Sequence, residues 1–532
     1  MYKATGSNED GTMTQKAITD ALSSKADSSS LSSYASITYV DNAINNIPAT
    51  NATVNLGSEN AGKMVVVDTD GSLRSGSLTE EALESLIVKS DSFVTEGVVG
   101  LTIDYENKSF ERIQEASGKT LGNDFNHYSM YGGRMRCNVA DDGTINAFYG
   151  DSGYKEDGSN GQVMIYQPKF YYQRIPIKLE NGIVGKIIRK ESLLISASPH
   201  AGFKIHPLFE AANGDILDYA LLPAYDSCAY DVSASQYILD DAAEVDLNND
   251  KLSSIANAKP ISGANHSFTS ANAEKLATNR GTGWHITNMA AESANQMLEI
   301  IEFGRLNGQA MLENGITNIG STPANTNCSA LTGSTSSLGN ASGHATSTTI
   351  EINGTNTTYS DSGKRAISYR GMENPWGNIW HFIGGVTING NSAMGGGIPY
   401  ICNDYNYTPS TLGENYISAG FSLPSNQNWI SAMGYGSSTY DWVFMPAECA
   451  DTATSATPVG DMIWTTTNLR GNRIVVLGGM WSSGVSSGPF YYGCDNSADS
   501  YYNSYSAKLM YIPTKNSIHN SNYQAWLAKF GA

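Results

Sequence analysis

The last third of the chain combines many large aromatic residues with very little charge. Residues 370–532 contain seven of the eight tryptophans and thirteen of the 30 tyrosines, but only fifteen Asp, Glu, Lys and Arg residues. Such a segment needs an aromatic core, and its surface must be finished largely by Ser, Thr, Asn, Gly and tyrosine hydroxyls. This pattern favours loop-rich β structure and argues against long charged helices.

The length and the net charge of the chain exclude several classes of protein. At 532 residues the chain exceeds the ~250–300 residues at which one hydrophobic core stops growing, so we expect several domains. The net charge of -19 repels phosphates and disfavours nucleic acids and anionic membrane surfaces as partners. Because the first residues lack the apolar region of an export signal and no run of 18 apolar residues occurs, we expect synthesis in a cytosol and no membrane insertion.

The residue types that usually carry catalysis or bind metals are scattered along the chain. The six cysteines lie at least 45 residues apart, which predicts free thiols rather than disulfides or a zinc site. The eight histidines form no HxH or HExxH cluster, and His285 and His381, each beside a tryptophan, are typical of hydrogen-bonded structural histidines. We predict no enzyme activity, no cofactor and no metal site, although a pair of glycosidase carboxylates far apart in sequence leaves no signature.

Residues 1–50 differ in character from the rest of the chain. Residues 13–22 have a short helical pattern, and apolar residues recur every three or four positions over 37–47 before Pro48. This pattern is too short for an independent coiled coil, so these helices require oligomerisation or a partner for stability. The alternative interpretation is a disordered, low-complexity leader.

Residues 51–90 form a second, small unit. Residues 63–68 (KMVVVD) have the pattern of a short buried strand that runs into a turn at Asp70-Gly71. Residues 78–88 then have the pattern of a short amphipathic helix. The unit is predicted to contain a strand, a turn and a helix.

From about residue 91 the patterns are mainly those of β structure. Turn signals such as Asp142-Gly143 separate β-rich runs such as 161–177, and one core-facing helix is predicted directly after Trp284-His285. Residues 318–362 are nearly all Ser, Thr, Asn, Gly and Ala and predict a long insertion or surface loop with little chemistry. The predicted fold class is mainly β with some α (α+β), with a β-rich domain over 91–270 and a C-terminal domain over 271–532.

A polar and aromatic stretch near the C-terminus is the candidate binding site. Residues 488–508 (GPFYYGCDNSADSYYNSYSAK) interleave tyrosine with Asp and Asn. Tyrosine offers a large, stiff contact area, and Ser and Asn add adaptable hydrogen bonds, as in antibody recognition loops. The alternative interpretation of residues 488–508 is a twisted β-hairpin with aromatic cross-strand pairs. A second such stretch, 400–407 (YICNDYNY), is expected to lie beside the first. The candidate receptor-binding residues are Trp481, Tyr491, Tyr492, Asp495, Asn496, Asp499, Tyr501, Tyr502, Asn503, Tyr505, Tyr405 and Tyr407.

Several segments of the chain resemble proteins of bacteriophage tails. MTQKAITDAL and KADSSSLSSYASITYVDNAI resemble the attachment and shaft segments of tail fibres, and NAGKMVVVDTDGSL resembles the strand-turn unit that often follows them. Segments including RCNVADDGTINAFYGD, DGSNGQVMIYQPKFYY, GFKIHPLF, NRGTGWHI and YRGMENPWGNIWHF resemble a module of phage and prophage tail proteins. The last of these, together with IVVLGGMWSSG, is similar to the GNVWEW and RGGSW motifs of the C-type lectin fold of the formylglycine-generating-enzyme type.

The resemblance implies a C-type-lectin-like domain over 271–532. Relatives that are enzymes use two nearby cysteines after the second motif, whereas residues 481–507 contain only Cys494, so the oxidase chemistry should be absent. Other relatives are tip proteins that are diversified by retroelements, which place Tyr, Ser, Asp, Asn, Gly and Cys on the ligand face. Residues 491–506 consist mainly of these residue types. Diversification of this chain by a retroelement stays a hypothesis.

The residues and the resemblance together predict a virion tail-fibre or receptor-binding protein. Residues 1–90 would join other tail or baseplate proteins, as a homotrimer, and the aromatic loops would bind a bacterial surface glycan or protein without catalysis. One alternative is a structural baseplate or collar subunit, in which the same loops pack on a neighbouring virion protein. The other is a capsule depolymerase, which would require a carboxylate pair that the sequence does not identify.

Overall fold

The structure is a computed structural model that describes the backbone of residues 64–67 and 73–76 and residues 97–513, apart from 212, 321, 391, 403, 467 and 468. It divides into two compact units, residues 1–95 with 199–204, and residues 96–198 with 205–532. The strands are Met64–Val67 (β1), Leu73–Gly76 (β2), Val98–Asp104 (β3), Ser109–Gln114 (β4), Met135–Val139 (β5), Ile145–Phe148 (β6), Gln162–Pro168 (β7), Tyr171–Asn181 (β8), Lys186–Ser196 (β9), Lys204–Ile205 (β10), Tyr219–Pro223 (β11), Cys228–Asp231 (β12), Gln236–Ile238 (β13), Lys251–Ser253 (β14), Trp284–Ile286 (β15), Gly343–His344 (β16), Thr348–Ile352 (β17), Thr355–Tyr359 (β18), Ile367–Tyr369 (β19), Met372–Glu373 (β20), Trp380–Gly390 (β21), Ile398–Cys402 (β22), Tyr416–Ser418 (β23), Asn428–Tyr435 (β24), Pro446–Cys449 (β25), Met462–Trp464 (β26), Gly471–Leu477 (β27), Tyr492–Gly493 (β28), Tyr505–Ser506 (β29) and Leu509–Tyr511 (β30). The α-helices are Ser129–Gly132 (α1), Ser270–Thr278 (α2), Met289–Phe303 (α3) and Gln309–Leu312 (α4), and the 3-10 helices are Asn123–Phe125, Pro207–Phe209, Ser336–Leu338, Ser392–Met394 and Gly484–Ser486.

In the first unit, β1 and β2 form an antiparallel hairpin in which Val65 pairs with Ser75. This confirms the strand predicted over 63–68. The helices predicted within residues 1–50 and over 78–88 lie outside the described residues, as do residues 70 and 71 of the predicted turn.

Two large sheets form the frame of the second unit. In the first, β8, β9, β24, β26, β28, β27, β21, β22 and β23 are hydrogen-bonded in that order, and β3 joins β9 to β4. In the second, the order is β15, β30, β11, β7, β5 and β6. Strands from the predicted segments 91–270 and 271–532 therefore share both sheets, since β9 pairs with β24 and β11 pairs with β30. The part of the chain that the structure describes is β-rich with few helices, as predicted.

Helix α3 lies in the core and confirms the helix predicted after Trp284-His285. Its first turn is capped by the side chain of Asn288, whose Oδ1 accepts a hydrogen bond from Ala291 N at 2.8 Å. It ends at Gly304, whose φ of 68° is the left-handed conformation that glycine adopts without strain. Every residue from Met289 to Phe303 is buried, so the helix is enclosed on all sides and contacts β3, β9 and β21.

The tryptophans of the C-terminal segment are divided between core and surface. Five of the tryptophans within residues 97–513 are buried, whereas Trp464 is 42% exposed. The aromatic core is therefore confirmed in large part, but tryptophan does not mark the core at every position. The buried tryptophans are Trp284, Trp376, Trp380, Trp442 and Trp481.

The predicted insertion at 318–362 packs more closely than a surface loop. It contains β16 and the β17–β18 hairpin, and Cys328 and Ile350 lie in a small core with Trp481. Side chains that are distant in sequence accept hydrogen bonds from backbone N–H groups of this segment. Asn378 Oδ1 accepts from Ala330 N at 2.7 Å, and Glu373 accepts from Thr335 N at 2.7 Å. Small Ser, Thr and Ala side chains permit this close approach, which corrects the interpretation of the segment as a loop.

The cysteines and two of the histidines have the structural roles predicted from the sequence. All six cysteines are free. His285 Nδ1 lies 2.7 Å from Glu274 Oε1, and His381 Nε2 lies 3.3 Å from Glu292 Oε1. No helix among the described residues is both long and apolar enough to cross a bilayer.

Candidate functional site

Residues 494–504 form a loop that joins β28 to β29, and two backbone hydrogen bonds and one side-chain hydrogen bond anchor it to other parts of the chain. Ile474 N donates to Asn496 O at 3.0 Å and Gly263 N donates to Tyr502 O at 2.9 Å. Asn503 Nδ2 donates to Thr326 O at 2.7 Å. We call this segment the aromatic loop. Its anchors come from three separate parts of the chain and hold the loop in one conformation.

Tyr501 and Tyr502 at the end of the aromatic loop point into solvent. They are 45% and 48% exposed, the largest values among the tyrosines that the structure describes. The Tyr502 ring contacts the edge of the Tyr505 ring, with centroids 4.9 Å apart. The backbone of Tyr502 passes so close to Gly263 that a Cβ there would lie 2.6 Å from Tyr502 N. The position of Tyr502 is thus set by a glycine and by a buried aromatic support.

Polar side chains border the two tyrosines. Asp495 Oδ1 accepts a hydrogen bond from Asn496 Nδ2 at 3.1 Å, and the same amide donates to Tyr505 Oη at 2.8 Å. Asp499 is exposed, and hydrogen bonds from the side chain of Ser497 and from its own backbone hold the pKa of its carboxyl below the usual value. The loop therefore presents carboxylate and amide acceptors beside aromatic rings.

Four of the residues assigned to the receptor face lie in the core instead. Trp481, Tyr491, Tyr492 and Tyr505 are 2%, 4%, 0% and 8% exposed. Tyr492 Oη donates to Phe444 O at 2.8 Å, and the Tyr491 ring lies 4.6 Å from the Trp380 ring, between centroids. Because large aromatic side chains contribute most when buried, these four residues support the loop and do not form its surface.

The alternative of a β-hairpin over this stretch is also wrong. Strand β28 pairs with β26 and β27, and β29 pairs in parallel with β21. The two short strands on either side of the aromatic loop are therefore not paired with each other. The loop spans from one sheet position to another, and this separation lets residues 495–504 form a surface.

Trp464 is an exposed aromatic residue beside the start of the aromatic loop, although it was not predicted from the sequence. Its carbonyl accepts from Cys494 N at 2.9 Å, so it lies beside the start of the aromatic loop. Its indole Nε1 donates to the hydroxyl of Tyr491. Along β26, Ile463 is fully buried between the partly buried Met462 and the exposed Trp464, as expected for a strand whose side chains alternate between two faces. All three residues are apolar, so the sequence carries no signal that Trp464 faces outward.

The second predicted stretch, which contains Tyr405 and Tyr407, is half-buried. Both rings flank His285, at 5.4 and 5.6 Å between centroids, and Tyr405 Oη donates to Glu210 O at 3.1 Å. Tyr407 covers Gly384 of β21, whose hypothetical Cβ would lie 2.6 Å from the Tyr407 ring.

The two stretches are connected through β27. Asn472 Nδ2 donates to Ser410 O at 3.1 Å, eight residues from the end of β22, and Ile474 N, two residues further along β27, donates to Asn496 O. The segment after Tyr407 and the aromatic loop are thus anchored to one short stretch of strand.

Substitution Gly384→Ala is expected to displace the Tyr407 ring and to lower the free energy of unfolding by about 1–3 kcal/mol, because the added methyl overlaps the ring. Urea denaturation measures this loss. The matched variant Gly384→Ala/Tyr407→Ala removes the overlap, so its loss is expected to be smaller than the sum of the two single losses. Strictly additive losses would show that Tyr407 does not occupy this position.

Among the described residues, no group of three or more His, Cys, Asp and Glu side chains is arranged to hold a metal ion. The thiol of Cys494 is buried, and burial raises its pKa well above the usual value. A thiol in this environment is a poor nucleophile, because the thiolate is the reactive form.

Comparison with known proteins gives a weak structural likeness. No family model matches the chain, and no curated protein matches it. A solved structure titled "Major Tropism Determinant P3c Variant" is similar over 78% of this chain and 81% of its own, with 13% sequence identity and a TM-score of 0.23. At that TM-score the likeness does not define the fold of this chain.

Proposed function

We propose that the chain is a virion tail-fibre or receptor-binding protein that attaches a phage to a bacterial surface through the aromatic loop. The observation that carries this proposal is the exposure of adjacent Tyr501 and Tyr502 on a loop that is anchored by two backbone hydrogen bonds and one side-chain hydrogen bond. Exposed aromatic side chains on a rigid support bind partners with little loss of conformational entropy. Tyrosine and tryptophan are also the residues most enriched at the energetic centres of interfaces.

The surface suits a glycan or a protein receptor. The faces of Tyr501, Tyr502 and Trp464 offer stacking area for a sugar ring, and the carboxylate and amide oxygens of Asp495 and Asn496 accept hydrogen bonds from sugar hydroxyls. The same groups also suit a protein surface, since such loops combine aromatic contact with adaptable polar contact. Binding is non-covalent in either case.

The remaining parts of the proposal concern assembly. Residues 1–90 join the tail, as a homotrimer, and residues 271–532 form a C-type-lectin-like domain. Three tethered copies of a weak site gain ~10²–10⁴ in avidity without any new contact. The motif similarity supports the lectin-like assignment. The two similar segments, YRGMENPWGNIWHF and IVVLGGMWSSG, contribute to neighbouring strands, in which Phe382 of β21 pairs with Val476 of β27.

The experiment that tests the function is competition for adsorption. Purified protein added to host cells before the phage is expected to reduce phage adsorption in a concentration-dependent manner. Absence of competition at concentrations that saturate the cells would contradict a receptor-binding role. Release of soluble sugar from the cell surface would favour the depolymerase alternative instead.

One observation favours the structural baseplate subunit as the second candidate. Val485 is 55% exposed, and its neighbour Ser486 contacts Met462 on the strand that carries Trp464, with Oγ 3.1 Å from Sδ. An apolar patch of this kind also suits a neighbouring virion protein. A baseplate subunit would bind that protein in vitro and would not compete for adsorption.

A further inference from the structure

A small buried cavity lies beside α3, below the segment that leads into the aromatic loop. Glu292, Asn295, Gln296 and Glu299 line it from the helix, and Leu477 and Pro489 line it from the opposite side. The space open to the centre of a water molecule is about 10 Å³, at the lower end of the ~10–15 Å³ that one water needs. The cavity is therefore large enough for a single water and too small for a larger ligand.

Two oxygen atoms on the wall of this cavity have no hydrogen-bond partner among the described residues. They are Gln296 Oε1 and Glu299 Oε2, and both side chains are 1% exposed. The oxygen and nitrogen of the Gln296 amide cannot be exchanged by flipping the amide group, because Nε2 already donates to Pro489 O at 2.7 Å and to Tyr492 Oη at 2.9 Å. Buried polar groups left without a partner cost about 1–3 kcal/mol each, so a hydrogen-bonding molecule bound here is strongly favoured.

We propose that this cavity is a binding site for one ordered water molecule, which donates a hydrogen bond to Gln296 Oε1 and forms a second hydrogen bond with the carboxyl group of Glu299. Water satisfies both atoms at once and fits the volume. A divalent cation is less suitable, because calcium takes six to eight oxygen ligands and magnesium requires an octahedral shell. The site does not depend on the proposed receptor-binding function.

The charge state of Glu299 agrees with water as the occupant. Burial raises the pKa of its carboxyl from 4.5 to about 8, the positive charge of Arg134 opposes this rise, and Glu292, Asp461 and Glu302 add to it. Glu299 is therefore mostly a neutral acid at pH 7, a form that exchanges hydrogen bonds with water and has little affinity for a cation. The folded protein keeps a proton that the unfolded chain releases, so this group's stabilisation is complete below about pH 4.5 and is lost as the pH rises to about 8.

The water links the helix to the base of the aromatic loop. Gln296 contacts both Pro489 and Tyr492, which precede the exposed part of the loop. The water completes the hydrogen bonding of a side chain that joins α3 to this segment.

A crystal structure at a resolution that shows ordered water tests the proposal. We expect one water within hydrogen-bond distance of Gln296 Oε1 and Glu299 in the wild-type protein. It should persist in Glu299→Gln, which keeps the shape and polarity of the side chain, and disappear in Glu299→Met, which fills the space with apolar atoms. An empty cavity in the wild-type structure, or density refined as a cation, would overturn the proposal.

Thermal denaturation gives a second readout that needs no crystals of the variants. Between about pH 5 and pH 8 the Tm of the wild-type protein is expected to fall more than that of Glu299→Gln, by on the order of a few degrees. The wild-type Tm should be equal in sodium and potassium chloride of the same ionic strength. A difference in Tm between the two salts that the Glu299→Gln substitution abolishes would mean that the site binds a cation and not water.

Discussion

Replacement of both Tyr501 and Tyr502 by alanine is expected to weaken binding of the purified protein to host cells by at least about 30-fold, without lowering the Tm. The factor corresponds to about 2 kcal/mol, the size of effect that defines a central aromatic residue of an interface. Both rings are about half exposed, so their removal leaves no cavity in the core. Binding of labelled protein to cells and thermal denaturation measure the two effects.

A matched control separates recognition from general surface hydrophobicity. Ile183 lies between β8 and β9 and is 65% exposed, and Ile183→Ala removes exposed apolar surface at a site outside the aromatic loop. This variant is expected to bind as the wild-type protein does. Equal binding by all three proteins would refute the assignment of the aromatic loop as the binding face, and equal weakening in both variants would indicate non-specific adhesion.

Substitution Arg370→Met is expected to lower the free energy of unfolding by about 3–5 kcal/mol, because it leaves a buried carboxylate without its partner. Arg370 donates from Nε and Nη2 to the two oxygens of Glu302, each at 2.6 Å. Glu302 is completely buried and also accepts from Tyr369 Oη at 2.8 Å. These contacts tie the YRGMENPWG segment to α3. Urea denaturation measures the loss.

The control for this variant is Lys178→Met, which breaks an ion pair at the surface. Lys178 Nζ lies 2.5 Å from Glu106 Oε2, and the two side chains are 44% and 41% exposed. Exposed pairs contribute less than about 1 kcal/mol. Arg370→Met and Lys178→Met with similar losses would mean that Arg370 and Glu302 do not form a buried pair.

Elements defined by local patterns were predictable from the sequence. Strand β1 was predicted from its continuous apolar run and helix α3 from apolar residues three and four positions apart. The turn at Asp142-Gly143 was predicted because glycine accepts its φ of 86°. The packing of 318–362 was not predictable, since it depends on Asn378 and Glu373 from elsewhere in the chain. The sharing of sheets across residue 270 likewise depends on long-range pairs such as Leu221 with Tyr511.

The segment that forms the candidate site was predictable from the sequence, but which of its side chains are exposed was not. All four tyrosines of two Tyr-Tyr pairs lie in the same polar and aromatic stretch. Tyr491 and Tyr492 are buried, however, whereas Tyr501 and Tyr502 are exposed. This difference arises because β28 pairs with both β26 and β27, whereas Tyr501 and Tyr502 lie outside any strand, in a loop whose anchors leave both rings exposed. Trp464 was missed because the tryptophans were interpreted as core residues, and the apolar sequence Met-Ile-Trp of β26 does not show which side chain faces outward.

Cryo-electron microscopy of the virion tests the central claim, that Tyr501 and Tyr502 form a free recognition surface. We expect the chain to lie at the distal end of the tail, with Tyr501, Tyr502 and Trp464 open to solvent before the phage meets a cell. Complete burial of these residues against another virion protein would contradict it and would identify the chain as a structural subunit.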